Sequence, residues 1–148
     1  YKEYLSKLDE NWTDTGAPQV VKDYKSTTIS FSPSTILSSE LIYALSDPFR
    51  ISLTSKYVSR QYLDNTQAKE RSINPFFVNN LRLLYNFSLL GIKNIDANLA
   101  VNNIFNEKYV SNGYTYGGID AVTGDRLYGN AYYPQATTNF LLGLNFRF

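Results

Sequence analysis

Side chains able to move protons, attack carbonyls or hold a metal are scarce in this sequence, and those present are not spaced for such work. There is no Cys, no His and no Met among its 148 residues. That removes thiolate nucleophiles and ligands, the commonest general acid/base and the commonest metal ligand. Glu40 and Asp96 have nothing in the sequence to make them a catalytic carboxylate pair. Asp120, Thr123, Gly124 and Asp125 match a Ca²⁺ loop only loosely, because EF-hand spacing is missing, and a glycine turn accounts for them. No enzyme activity, cofactor or metal is expected. The sequence offers contact chemistry instead. Trp12, Tyr114, Tyr116 and Tyr128 lie in polar or Gly-rich stretches and are candidates for an aromatic surface holding a ligand such as a glycan or siderophore. Flat rings give large contact area at low entropic cost. An interfacial girdle or a packed loop is the plainer account of the same rings. Two N-x-S/T tripeptides, beginning at Asn11 and Asn86, are discounted as glycosylation sites, the second because it falls within a strand.

The elements that would carry these rings follow from alternation. From the C-terminus, Phe148, Phe146, Leu144, Leu142 and Phe140 share one parity, and Arg147, Asn145, Gly143 and Asn139 share the other, with Leu141 as the exception. Period two puts the two sets on opposite faces of a strand. Similar alternation predicts strands over 27–45, broken or bulged at Pro33, and over 49–63, 76–90, 95–109 and 131–148, with residues 1–5 ending an earlier one. Short turns at 46–48 and 91–94 alternate with long polar stretches at 6–25, 64–74 and 113–130, which are expected to be loops. The polar parity contains Arg50, Lys56, Arg60, Asn80, Arg82, Asn86, Asp96, Asn98 and Asn102. As lumen-facing candidates they would line a solute path or touch a plug; a wet lumen that simply needs polar groups explains them equally.

An aromatic-rich alternating strand with a terminal Phe would be an exposed apolar edge in a soluble protein. In an outer-membrane barrel the apolar face meets lipid and closure removes the edge. No stretch approaches the ~18 apolar residues of a membrane-spanning helix, and barrel strands need none. The predicted strands run to about 15 residues, beyond the ~9 to 11 that cross a bilayer. Phe77 and Phe87 lie on one parity, spaced for the two aromatic girdles. Five strands cannot close a barrel, and the chain lacks a methionine, so a C-terminal segment of a longer polypeptide is expected. A net charge of +1 without basic runs disfavours nucleic acid.

At 101–117, VNNIFNEKYVSNGYTYG, the sequence resembles the TonB-dependent receptor family in its N-[LI]-F-[ND]-x-x-Y motif, matched by Asn103, Ile104, Phe105, Asn106 and Tyr109. Tyr132, Tyr133 and Pro134, followed by 140–148, resemble that family's closing strand. The last eight residues resemble an outer-membrane assembly signal through Gly143, Phe146 and Phe148, with Leu141 departing at the polar position. The resemblance covers roughly 31–148. It implies an all-β fold, the C-terminal strands of a large antiparallel transmembrane barrel of 22 strands filled by an N-terminal plug. It implies a Gram-negative cell outer membrane location and uptake of a scarce solute such as a siderophore, cobalamin or glycan. The partners implied are outer-membrane lipid, the TonB complex acting through a plug upstream, the assembly machinery and, optionally, a surface lipoprotein. The alternative is an outer-membrane pore or surface-binding barrel without energy coupling. A soluble all-β carrier fits less well, since its apolar face would point inward.

Overall fold

The computed structural model describes residues 1–89 and 91–147, and of Lys93 and Asn94 only the backbone. Among the described residues there is no helix. The strands are β1 (Lys2–Leu5), β2 (Lys7–Leu8), β3 (Val20–Asp23), β4 (Ile36–Ser46), β5 (Phe49–Val58), β6 (Gln61–Tyr62), β7 (Ser72–Ile73), β8 (Phe76–Leu89), β9 (Ile92–Asn102), β10 (Val110–Asp120), β11 (Arg126–Pro134) and β12 (Asn139–Asn145). They fall into two compact units, interleaved along the chain.

One unit holds an antiparallel five-stranded sheet in the order β12-β9-β8-β5-β4. Its strands are shorter than alternation alone suggested, at 14 residues for β8, 11 for β4 and β9, 10 for β5 and 7 for β12. Strand β4 begins after Pro33 rather than at Thr27, because proline has no N–H to give a ladder. Residue Phe31 already has a left-handed φ of 54°. The β4 and β5 strands are joined through Asp47 and Pro48, and Ser46 faces Phe49. Strand β9 extends from Ile92, earlier than expected, and stops at Asn102 rather than Tyr109. Its end is a turn built by two asparagines with positive φ, Asn103 (52°) and Asn106 (55°), a conformation that Asn tolerates better than most residues. Asn103 clamps this turn. Its Oδ1 accepts from Glu107 N–H (2.9 Å), and its Nδ2 donates to Glu107 O (2.9 Å) and Ala136 O (3.2 Å).

Cross-strand register fixes the faces. Ile51, Leu83, Leu99 and Leu142 form one transverse row, and Leu53, Leu81, Val101 and Phe140 the next. The opposite face carries the rows Ser52, Arg82, Ala100, Leu141 and Thr54, Asn80. The apolar face is most exposed on the outer strands, with Leu41 67%, Phe140 70% and Leu142 67% accessible, and half-buried along the inner ones, where Ile95 and Asn79 are buried. Two details lay outside the alternation. Ser39, Ser55 and Asn79 make a polar row on the apolar face, where Ser55 Oγ–H donates to Asn79 Oδ1 at 2.6 Å. On the opposite face, Val58, Phe76 and Val78 form a buried cluster, with Tyr109 stacked on Phe76 at 4.5 Å between centroids.

The other unit comprises Tyr1–Ser34, Arg60–Asn74 and Val110–Pro134. The expected loop 113–130 is instead most of a β10–β11 hairpin closed by residues 121–125. Its glycines mark close approaches, not disorder. A Cβ at Gly118 would stand 2.5 Å from Ser6 O, and one at Gly129 would stand 2.5 Å from the Tyr116 ring. Strand β2 pairs with β10 in parallel, β1 pairs with β3, and β6 with β7, so the stretches 6–25 and 64–74 also contain short strands. Leu5, Leu8, Leu63, Ile73 and Ile119 are buried here.

Candidate solute-contact surfaces

The sheet positions its polar side chains by register alone. Arg50, Lys56, Asn80, Arg82, Asn86, Asp96, Asn98 and Asn102 share one face, as their parity required. Arg60 does not join them. It lies beyond β5, in the other unit, where Nη1 donates to Ser72 Oγ (2.7 Å). Described residues of the polar face line two hollows of different size. The smaller, of about 140 Å³, is lined by Glu40, Ser52, Thr54, Asn80, Arg82 and Asn102 among others, and Ser52 Oγ–H donates to Glu40 Oε1 at 2.6 Å. The larger, of about 630 Å³, lies against Asp47, Arg50, Asn86, Asp96, Asn98 and Asn145. Asp96 takes Asn86 Nδ2–H on Oδ1 (2.6 Å) and Arg147 on Oδ2 (3.0 Å). Glu40 and Asp96 stand three rows apart, which at ~3.3 Å per residue is about 20 Å. They cannot act as a carboxylate pair. Among the described residues no cluster of acidic side chains is suited to a metal.

The second surface is aromatic. Asn112, Tyr114, Tyr116 and Gly118 of β10 face the same way as Tyr133, Ala131, Gly129 and Leu127 of β11. Tyr133, Tyr114, Tyr116 and Trp12 follow one another as a chain of rings, with successive centroids 6.3, 6.0 and 5.9 Å apart. All four are about half exposed. Trp12 is held by its turn: it sits at φ 63°, and Asp9 Oδ1 accepts both Asn11 N–H and Thr13 N–H at 2.9 Å. Tyr116 lies over Gly129, where the absence of a side chain lets it approach.

Tyr128 does not belong to this row. It is on the reverse face, opposite Gly117, with the Arg71 guanidinium 5.7 Å above its ring. Arg71 is buried and paired, Nε donating to Asp64 Oδ2 at 2.6 Å and Nη2 to Thr66 Oγ1. Tyr132 O–H donates to Ser72 O (3.1 Å), and Asn130 Nδ2 to Glu70 O (2.7 Å). On the same hairpin face Arg126 pairs with Glu3 at 2.7 Å. Glu3 also accepts from Tyr24 O–H (3.0 Å). Burial pushes the Tyr24 phenol above its ordinary value, reinforced by Glu3. One hairpin face is thus packed and the other open. Tyr133 was not among the expected ligand residues. Once 110–134 is recognised as a hairpin, its parity brings it beside Tyr114.

Of the assembly-signal residues, Gly143 lies in β12 opposite Asn98. Phe146 follows that strand and is about half exposed. Phe148 lies outside the described residues.

No family model and no curated protein matches the chain. It is similar in structure to the ferric-catecholate import receptor Fiu from E. coli K12. In the closed form the likeness has a TM-score of 0.61 at 20% identity over 88% of this chain. In the open form the TM-score is 0.52 at 21% identity over 75% of it. The chain spans only 17% and 15% of those receptor chains. The likeness shows a shared fold: the antiparallel all-β arrangement of this chain is that of part of the import receptor.

Proposed function

We propose that this chain is the C-terminal part of the barrel of a TonB-dependent transporter that takes up a scarce solute across the outer membrane of a Gram-negative bacterium. The observation that carries the reading is the sheet with opposite chemistries on its two sides. Rows of Leu, Val and Phe face one way, and Arg, Asp and Asn face the other. An apolar sheet face this large, and this exposed on its outer strands, has to meet something apolar. Hydrocarbon suits it, because the inner strands satisfy their backbone polar groups within the ladders, and the Ser55 hydroxyl donates to Asn79 rather than standing unpaired. The polar face then lines the lumen. The turn through Asp47 and Pro48 lies on the periplasmic side, and the β10–β11 hairpin is extracellular, following the short-turn, long-loop asymmetry of such barrels. The likeness to an import receptor supports the same direction of transport. A plug upstream would supply the TonB contact.

The test uses the full-length protein in a Gram-negative host. An epitope inserted in the 121–125 turn should be labelled on intact cells, and solute uptake should stop when TonB is deleted. Labelling only after the outer membrane is opened would invert the topology. Uptake that persists without TonB would leave a passive pore.

A further inference from the structure

We infer that the open face of the β10–β11 hairpin binds a linear, uncharged saccharide; this deepens the transporter reading by naming the chemical class of its solute. The four rings form a single file, Tyr133, Tyr114, Tyr116 and Trp12, with steps of 6.3, 6.0 and 5.9 Å. Each step is close to the length of one sugar unit in a linear chain, and successive rings are tilted by 45°, 38° and 57°, so a chain that turns from one unit to the next can set a pyranose against each ring. Ala131 and Gly129 stand opposite Tyr114 and Tyr116 on β11, and these small residues keep the surface between rings low. Rings offer sugars an apolar face for their axial C–H groups, and the tyrosine hydroxyls add donors and acceptors at the edge.

The backbone that carries the strip is held by hydrogen bonds of its own. Trp12 is locked in its turn by Asp9, and Tyr116 rests on Gly129. The reverse of the hairpin is anchored through Tyr132, Asn130 and Arg126. Pre-ordered rings lose little freedom on binding, which is what a weakly hydrophobic ligand such as a sugar requires.

Charge decides against the alternatives. A metal–catecholate complex or a phosphorylated lipid headgroup is an anion and calls for Arg or Lys. None of the residues sharing this hairpin face is basic. The charged residues nearest Trp12 in sequence, Asp9, Glu10 and Asp14, are acidic and repel anions. Arg71 and Arg126 are engaged by Asp64 and Glu3.

Purified full-length receptor would be titrated calorimetrically with three neutral glucose hexasaccharides, linked α-1,4, β-1,4 and β-1,3, and with the ferric complex of catechol. At least one hexasaccharide should bind. Trp12→Ala, Tyr116→Ala and Tyr133→Ala should each weaken it about 2- to 12-fold, while Tyr116→Phe, which keeps the ring, should retain most of the affinity. Unchanged heat-unfolding of each variant guards against misfolding. The inference is overturned if no hexasaccharide binds, if binding ignores Trp12 and Tyr116, or if these substitutions abolish ferric-catechol binding or co-purification of lipopolysaccharide instead. Failure of the transporter reading would appear separately, as absence from the outer membrane or uptake indifferent to TonB. The titration decides the strip in either case.

Discussion

Leu83 and Arg82 are neighbours in the chain with opposite surroundings, because pleating turns successive side chains to opposite faces. Leu83 sits in the row with Ile51, Leu99 and Leu142. Leu83→Arg should therefore cost about 2–4 kcal/mol of barrel stability near the bilayer midplane, whereas Arg82→Leu should leave the unfolding temperature of the full-length protein almost unchanged. Equal losses from the two would mean that the apolar face does not meet lipid. Asp64 poses a different residue-scale case, since it holds the buried Arg71 at 2.6 Å. Removing one partner leaves the other charge buried and unpaired, so Asp64→Ala should loosen the 60–74 segment by about 3–5 kcal/mol. Limited proteolysis should then cut within this segment, at sites protected in the parent protein, with the barrel still resistant.

At the scale of elements, the β10–β11 hairpin depends on a turn whose amides are satisfied by one carboxylate. Asp120 Oδ1 accepts Val122 N–H at 2.8 Å and Thr123 N–H at 2.7 Å, and Gly124 takes the left-handed φ of 77° that closes the turn. The hydrogen bond from Thr123, and then that from Val122, hold the Asp120 carboxyl below its ordinary range. A group whose folded-state value is depressed supports the fold above its unfolded value and loses that support as pH falls through the folded one. The turn should therefore be unaffected by pH near neutrality and loosen only below the ordinary carboxylate range. Amide exchange at Val122 and Thr123 would follow this directly, once the intrinsic pH dependence of exchange is allowed for. Asp120→Asn, which can still accept but does not ionise, should remove the acid transition. A transition that survived in that variant would have another source.

At the scale of the whole molecule, a sheet with one greasy and one wet face is only half of a solution to burial. The apolar rows need an apolar partner, which in the proposed barrel is lipid, and the edge strands β4 and β12 need partners to complete their ladders. Phe148 ends the alternating series begun by Phe140. Losing one ring should cost no more than a few kcal/mol by area, which a barrel of many strands can absorb. If the C-terminal residues are read during assembly, deleting Phe148 should lower the amount of protein reaching the outer membrane while its heat-unfolding temperature stays the same. Unchanged abundance with a lowered unfolding temperature would make Phe148 an ordinary packing residue.

The alternation of Leu and Phe with Arg and Asn was enough to assign the faces of the sheet, because side-chain direction in a strand is a strictly local property. It was also enough to group Arg82, Asn86, Asp96, Asn98 and Asn102 on one side. Three features were decided only by tertiary structure. The strand expected to run to Tyr109 ends at Asn102, because Asn103 and Asn106 find partners in a left-handed turn. Residues 113–130 looked like a loop because glycine is a weak strand former, yet Gly118 and Gly129 are needed where backbone and ring approach the hairpin. The aromatic surface changed membership for the same reason. Pairing across β10 and β11 brings Tyr133 beside Tyr114 and turns Tyr128 toward Arg71. Which rings share a face there depends on which residues stand opposite one another, and that register is a contact between segments that no local spacing encodes.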